Sequence, residues 1–190
     1  IGHVPYEDYG MSSRWLEGTI ITDLHRRGLI ATDKNPAGKE MMDTTDKFEG
    51  AYVKTPLPAK HDWVFSMDLQ SLYPSIIMSL NISPETKVAS VVNQWDVDAF
   101  TSGEGGTALL QIDNKQKKLT YDQLRDVIKD GNMCISSNGV LYRQDKRGVI
   151  PSILEKWFAN RLEFQSLMKK ALVDGDAEAA DYYDRRQHIQ

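Results

Sequence analysis

An apolar run that ends in aspartate and turns at once into a proline-started helix constrains this chain more than any other feature. Trp63, Phe65 and Met67 alternate with Val64, Ser66 and Asp68, which predicts a strand over 63–69. Pro74 suits the first turn of a helix running to about Leu80, and Asn81 can end it. Such a strand leaves the Asp68 carboxylate at a sheet edge, with the backbone amides of a helix entrance beside it. Metal-assisted phosphate chemistry requires that grouping. Magnesium takes near-octahedral oxygen coordination, with one or two carboxylates plus substrate phosphates, so one aspartate is half a site. Read by itself, Asp68 also fits a simple cap for the following helix.

At 190 residues the chain is long enough to bury a real core as one domain or one and a half. Its 41% hydrophobic and 26% charged residues are an ordinary globular balance. No apolar run approaches the roughly 20 residues of a membrane span, and the N-terminus lacks signal-peptide organisation, so a cytoplasmic protein is expected. The single cysteine, Cys134, excludes an internal disulfide and a cysteine-rich zinc site, and its apolar surroundings predict a packed thiol. A net charge of −4 runs against the basic surplus common in nucleic-acid binders. Either the basic groups are segregated on one face, or DNA-gripping parts lie elsewhere.

Residues 12–28 read as a helix that Ser12 or Ser13 can cap, with Trp15, Ile20, Ile21 and Leu24 as its stripe and Gly28 as its stop. Residues 31–47 read as a loop or linker, Phe48 to Pro58 as extended chain, and 100–107 as a flexible surface loop. Ser83-Pro84-Glu85 starts a short turn. Thr120 and Gln123 form a capping box ahead of Leu124, Val127 and Ile128. Cys134-Ile135-Ser136 and Val140-Leu141-Tyr142 flank a hairpin turn at Ser137-Asn138-Gly139. Pro151 opens a long helix to about Val173, and Asp174-Gly175-Asp176 breaks it before a second helix. So short a turn predicts antiparallel helices. Lys115, Lys117 and Lys118 read as a solvated loop, and His3, His25, His61 and His188 show no metal-ligand spacing.

Asp68-x-x-Ser71-Leu72-Tyr73-Pro74-Ser75-Ile76-Ile77, trailed by Asn81-Ile82-Ser83-Pro84-Glu85-Thr86, resembles the first palm motif of B-family DNA polymerases, and specifically the replicative enzymes of tailed bacteriophages. Arg14-x-Leu16-Glu17-Gly18 with His25-Arg26-Arg27 is similar to the helix leading into the palm. Phe48-Glu49-Gly50-Ala51-Tyr52-Val53 resembles the template-contacting Tyr-x-Gly-Gly/Ala loop, with Phe48 in the tyrosine position. Asn138 to Tyr142, Gly148 to Pro151, and Asn160-Arg161 resemble the approach to the fingers. The likeness spans about residues 12–190 and is weakest from 87 to 130.

The resemblance implies an α+β fold: a partial polymerase palm, with an antiparallel sheet and packed helices, plus an antiparallel helical hairpin of the fingers. Residues 1–47 would lead into the palm, 48–150 form part of it, and 151–190 form truncated fingers. Asp68 would hold both catalytic magnesium ions, aided by the carbonyl of Leu69. The amides of Ser71 and Leu72 with the Ser71 hydroxyl would cradle the triphosphate, in keeping with the affinity of helix entrances for phosphate. Tyr73 would lie under the sugar and exclude a 2′-hydroxyl, its other reading being a core tyrosine. Phe48, Gly50 and Ala51 would contact DNA. Arg161 falls in line with Ile153 and Trp157, where an arginine needs an anion or must snorkel. The resemblance makes it the fingers arginine that clamps the incoming triphosphate. One turn on, where the phage enzymes have lysine, stands Gln165.

The Asp-Thr-Asp-type turn carrying the second metal carboxylate does not occur, nor does the fingers Lys-x3-Asn-Ser-x-Tyr-Gly element. Two-metal phosphoryl transfer needs both carboxylates together. The implied whole is a DNA-directed DNA polymerase using primer-template DNA, dNTPs and magnesium in a cytoplasm, that of the host if viral. This chain alone is expected to be inactive and to need a C-terminal segment. Ile1 and the helical C-terminus read as cut ends. An expressed fragment, the N-terminal piece of a split polymerase and the part preceding an intein all fit, and one of the last two is expected. The competing reading is a non-catalytic DNA- or nucleotide-binding module derived from a polymerase. An unrelated metal hydrolase has no need of the Ser-Leu-Tyr-Pro turn together with a distant arginine.

Overall fold

Pro74, Thr120 and Gly175 mark helix boundaries as their local chemistry dictates. The computed structural model describes residues 4–8, 10–31, 53–93 and 95–189. They fall into two compact units, Ile1–Gln70 and Ser71–Gln190. Among the described residues no helix is long and apolar enough to cross a membrane.

In the first unit a short 3₁₀ turn, Tyr6–Asp8, precedes helix α1, Ser12–Arg26. Its N-cap is Met11 rather than Ser12 or Ser13, and no side chain closes that end. The stop at Gly28 holds: Arg27 pairs with Asp23 at 2.6 Å and the Gly28 amide donates to the His25 carbonyl at 3.0 Å. Of the expected stripe, Trp15, Ile20 and Leu24 are half-buried while Ile21 is exposed. The expected strand over 63–69 does not form. Those residues belong to no strand, and Trp63, Val64, Phe65 and Met67 are all exposed. The alternation is present, but a strand exists only through a partner, and no described residue pairs with this segment.

The second unit opens with α2, Leu72–Ser79, and a 3₁₀ turn at Pro84–Thr86. A five-stranded antiparallel sheet follows, in the order β3-β2-β1-β5-β4. The strands are β1 (Lys87–Val91), β2 (Thr107–Ile112), β3 (Lys115–Thr120), β4 (Met133–Ile135) and β5 (Val140–Arg143). Helix α3 (Val97–Ser102) lies between β1 and β2, and α4 (Tyr121–Asp130) between β3 and β4. The Thr120–Gln123 capping box is reciprocal, and it starts α4. The β4–β5 hairpin aligns Cys134 with Tyr142.

One sheet face carries the core. Ala89, Val91, Ala108, Leu110, Leu119 and Leu141 pack with Phe100 of α3 and Tyr121 and Leu124 of α4. Leu124 and Leu141 are fully buried, each contributing about 1.5–3 kcal/mol. Phe100 falls within the stretch expected as a surface loop. It is a core residue instead, edge-to-face with Trp95 and Tyr121 at 5.3 and 5.6 Å. The open loop is confined to the residues between α3 and β2. The three lysines likewise belong to edge strand β3 rather than a loop, though they are solvated as expected. Lysines on an edge also discourage pairing with foreign strands.

Two helices complete the unit: α5, Val149–Asp174, and α6, Ala177–Ile189. Gly175 caps α5 in the left-handed conformation, with φ 77°, and turns the chain back. Asp176 accepts the Ala179 amide at 2.9 Å and so caps α6. The helices pack as the expected antiparallel hairpin, with Phe164 stacked on Tyr183 at 6.5 Å. This is an α+β fold.

Candidate functional site

The residues trailing the aspartate motif build a buried corner that fixes α2 to α5. Asn81, 1% exposed and left-handed at φ 55°, donates through Nδ2 to the carbonyls of Arg143 and Lys146, at 2.7 and 2.9 Å. Its Oδ1 accepts the Gly148 amide at 2.9 Å. Glu85 accepts the Val149 amide at 2.5 Å, placing a carboxylate at the positive end of α5. Arg147 donates to the Met78 carbonyl at 2.7 Å and pairs with Glu155. Gln144 donates to the Leu80 carbonyl at 3.0 Å. Thus the carbonyls of Met78 and Leu80, at the end of α2 where a helix cannot satisfy them itself, are taken by Arg147 and Gln144 from the segment between β5 and α5.

Gly148 is required there by space. A Cβ at this position would stand 2.7 Å from the Ser83 Cβ and 3.1 Å from Thr86 Cγ2. Cys134 also adjoins the corner, donating to the Leu80 carbonyl at 3.1 Å. Burial pushes its thiol up, against a smaller opposing effect of the Gln144 hydrogen bond. A raised thiol pKa disfavours the thiolate a nucleophile needs, so Cys134 is the packed thiol expected.

At the opposite end of α2 the chain is uncovered. Ser71 adopts a left-handed conformation, φ 54° and ψ 47°, and does not cap the helix through its hydroxyl. A non-glycine residue in this region costs about 1–2 kcal/mol and recurs at functional turns. The amides of the first helical turn have no intrahelical acceptor. Leu72 is 42% and Tyr73 77% exposed, so Tyr73 is not a core tyrosine, and residues of its own unit do not pack it firmly.

On α5 the line Ile153, Trp157, Arg161 runs from buried through half-buried to exposed. Arg161 is therefore not an arginine forced among apolar neighbours. The first turn of α5 sits in the Asn81 corner, and the helix packs chiefly on α6. The Arg161 guanidinium stands in solvent.

A model of DNA polymerase family B matches residues 8–189. The chain belongs to that family. It is 34% identical over 132 residues to the DNA-directed DNA polymerase of Escherichia phage RB69, covering 68% of this chain and 12% of that protein. To the DNA-directed DNA polymerase of Enterobacteria phage T4 it is 32% identical over 121 residues, covering 64% and 11%. The DNA polymerase of Orf virus is 27% identical over 139 residues, covering 72% and 13%. The chain thus spans only about an eighth of the length of these family B polymerases.

In family B terms the described residues sort as follows. Asp68 and Leu69 lie in the first unit, in exposed chain outside any strand. Ser71, Leu72, Tyr73 and Arg161 lie in the second, with α2 and α5 packed together. Phe48, Gly50 and Ala51 lie outside the described residues. No three His, Cys, Asp or Glu side chains cluster as a metal site among the described residues. Two features escaped the sequence reading. The left-handed Ser71 carries no compositional signal, and the Asn81 corner joins residues 62 to 67 positions apart. The Asn-x-Ser-Pro-Glu-Thr string was legible as a helix stop, a turn and the tail of the palm-like motif, but not as a buried hydrogen-bonding corner.

Proposed function

We propose that this chain supplies the first half of a family B polymerase active site, joining a dNTP to a primer 3′-hydroxyl on a DNA template. The observation that carries the proposal is the family match across residues 8–189, with the Asp68–Ile77 motif inside it. The uncovered first turn of α2 and the solvent-facing Arg161 support it, being donors left free on one unit.

Asp68, with the Leu69 carbonyl, binds magnesium in this reading. Its exposed carboxylate suits a hard cation that also takes substrate phosphates. Magnesium, when bound, neutralises charge on the reacting phosphates. The Ser71 hydroxyl and the amides of Ser71 and Leu72 receive the triphosphate, and Tyr73 excludes a 2′-hydroxyl. Arg161 closes on the phosphates with its donor fork. The end of α2 and the start of α5 meet at the Asn81 corner. At 1.5 Å per residue, Leu72 stands about 10 Å up one helix and Arg161 about 18 Å up the other. A triphosphate held between them is the arrangement proposed. Phe48, Gly50 and Ala51 contact the template strand.

The division into a lead-in (1–47), partial palm (48–150) and fingers helices (151–190) belongs to the same proposal. So do a C-terminal segment bringing the second carboxylate and the lysine element, and a cytoplasmic setting, in a host cell if the source is viral. Primer extension tests it. This chain mixed with a segment carrying both missing elements should extend a primer with magnesium and dNTPs, and neither part should do so alone. No extension by a mixture that forms a stable complex contradicts the proposal and favours a non-catalytic module.

A further inference from the structure

The fingers hairpin holds a second guanidinium beside the turn that carries Arg161. Phe164 stacks on Tyr183, and Gln187 Nε2 lies 3.6 Å from Met168 Sδ, so the α6 segment 183–187 runs alongside the α5 segment 164–168. In that register Arg186 reaches α5 at Phe164, its guanidinium 5.2 Å from the ring centroid and 5.9 Å from that of Tyr182. Phe164 and Gln165 are three and four residues beyond Arg161, on the same side of α5.

Arg186 is not committed to an acid. Among the described residues Asp181 pairs with Arg185, while Asp184 accepts from Gln187 and faces His188. Glu163 is exposed, two residues from Arg161 and so on another side of α5. A guanidinium lying over a ring is held in place by its face, while its N–H edge remains available to an anion. Gln165 contributes no charge at this level of the hairpin, so the cation beside the Arg161 turn comes from α6.

We infer that Arg186, positioned by Phe164 and Tyr182, is a second phosphate-binding residue for the incoming triphosphate, acting beside Arg161. The inference rests on the reading of Arg161 given above. Two guanidiniums on one face of a hairpin repel in isolation and favour a polyanion that bridges them.

The test is steady-state nucleotide incorporation by the assembled polymerase, with melting temperature recorded for each variant. Arg186→Ala should raise KM for dNTP about tenfold with a much smaller change in kcat. Adding Gln165→Lys, which returns a cation one turn from Arg161, should recover most of that loss without restoring the ring contacts. KM within twofold of the parent in Arg186→Ala, while Arg161→Ala raises it strongly, overturns the inference and leaves the Arg161 reading intact. A raised KM that Gln165→Lys leaves unrelieved also overturns it, because Arg186 then serves only to pack the hairpin. If Arg161→Ala leaves KM unchanged, the underlying reading of the hairpin fails first.

Discussion

The Asn81 carboxamide oxygen accepts the Gly148 amide proton at 2.9 Å, tying the end of α2 to the start of α5. Two further bonds from the same side chain reach Arg143 and Lys146. One buried residue thus stands at the centre of the junction between the helix of the aspartate motif and the helix that bears Arg161.

Asn81→Ala removes all three bonds and leaves a buried donor and two carbonyls to find other partners. It also puts alanine at φ 55°, where a left-handed conformation is costly. A loss of about 2–4 kcal/mol is expected. It is read as a lower urea midpoint at unchanged slope. A midpoint equal to the parent's contradicts the role of the corner.

Gly148→Ala should destabilise by steric overlap alone. The added Cβ meets backbone-anchored Ser83 and Thr86 rather than the tip of a long side chain, and Pro151 Cδ lies 3.3 Å away on another side. A cost of about 1–3 kcal/mol follows for an overfilled site, and Ser83→Gly in the same chain should relieve part of it.

The Cys134 thiol gives a pH signature. Burial raises its folded pKa above the ordinary value of 9.0, so the folded chain holds this proton more tightly than the unfolded chain. Its contribution is complete below the ordinary thiol range and is lost as pH rises through that range toward the raised value. Tyr142, aligned opposite and pushed up by burial and then by the thiolate, adds in the same direction at higher pH. Denaturant midpoints should fall more steeply on the alkaline side for the parent than for Cys134→Ser. Identical alkaline slopes contradict the assignment.

Tyr73 tests the sugar gate. In the assembled polymerase Tyr73→Ala should raise ribonucleotide incorporation relative to dNTP by about a hundredfold, a discrimination of roughly 3 kcal/mol. Unchanged sugar selectivity removes Tyr73 from that role.

Legibility in the sequence followed the range of the interaction. The Thr120–Gln123 box, the Gly175 reversal and the β4–β5 hairpin are local, and each was readable from a few adjacent residues. β1, β2 and β3 were not, because β3 is a lysine-rich edge without an apolar pattern and the first two draw their identity from each other. The strand expected over 63–69 shows the converse: the alternating pattern is there, but pairing is non-local. For the site, residue types at Asp68, Ser71, Tyr73 and Arg161 were legible, whereas Ser71's left-handed turn and the Asn81 corner depend on conformation and distant partners. The line of Arg161 with Ile153 and Trp157 was legible, but helical spacing places a residue on a stripe and says nothing of where the stripe leaves the core.

The most direct measurement is the single-turnover rate of primer extension, at saturating dNTP and magnesium, for Asp68→Asn in the assembled polymerase. If Asp68 is the metal carboxylate contributed by this half-site, the rate should fall by about a thousandfold or more while primer-template binding persists. A rate within tenfold of the parent would show that the chemistry does not pass through Asp68, contradicting the assignment of this chain as half of an active site.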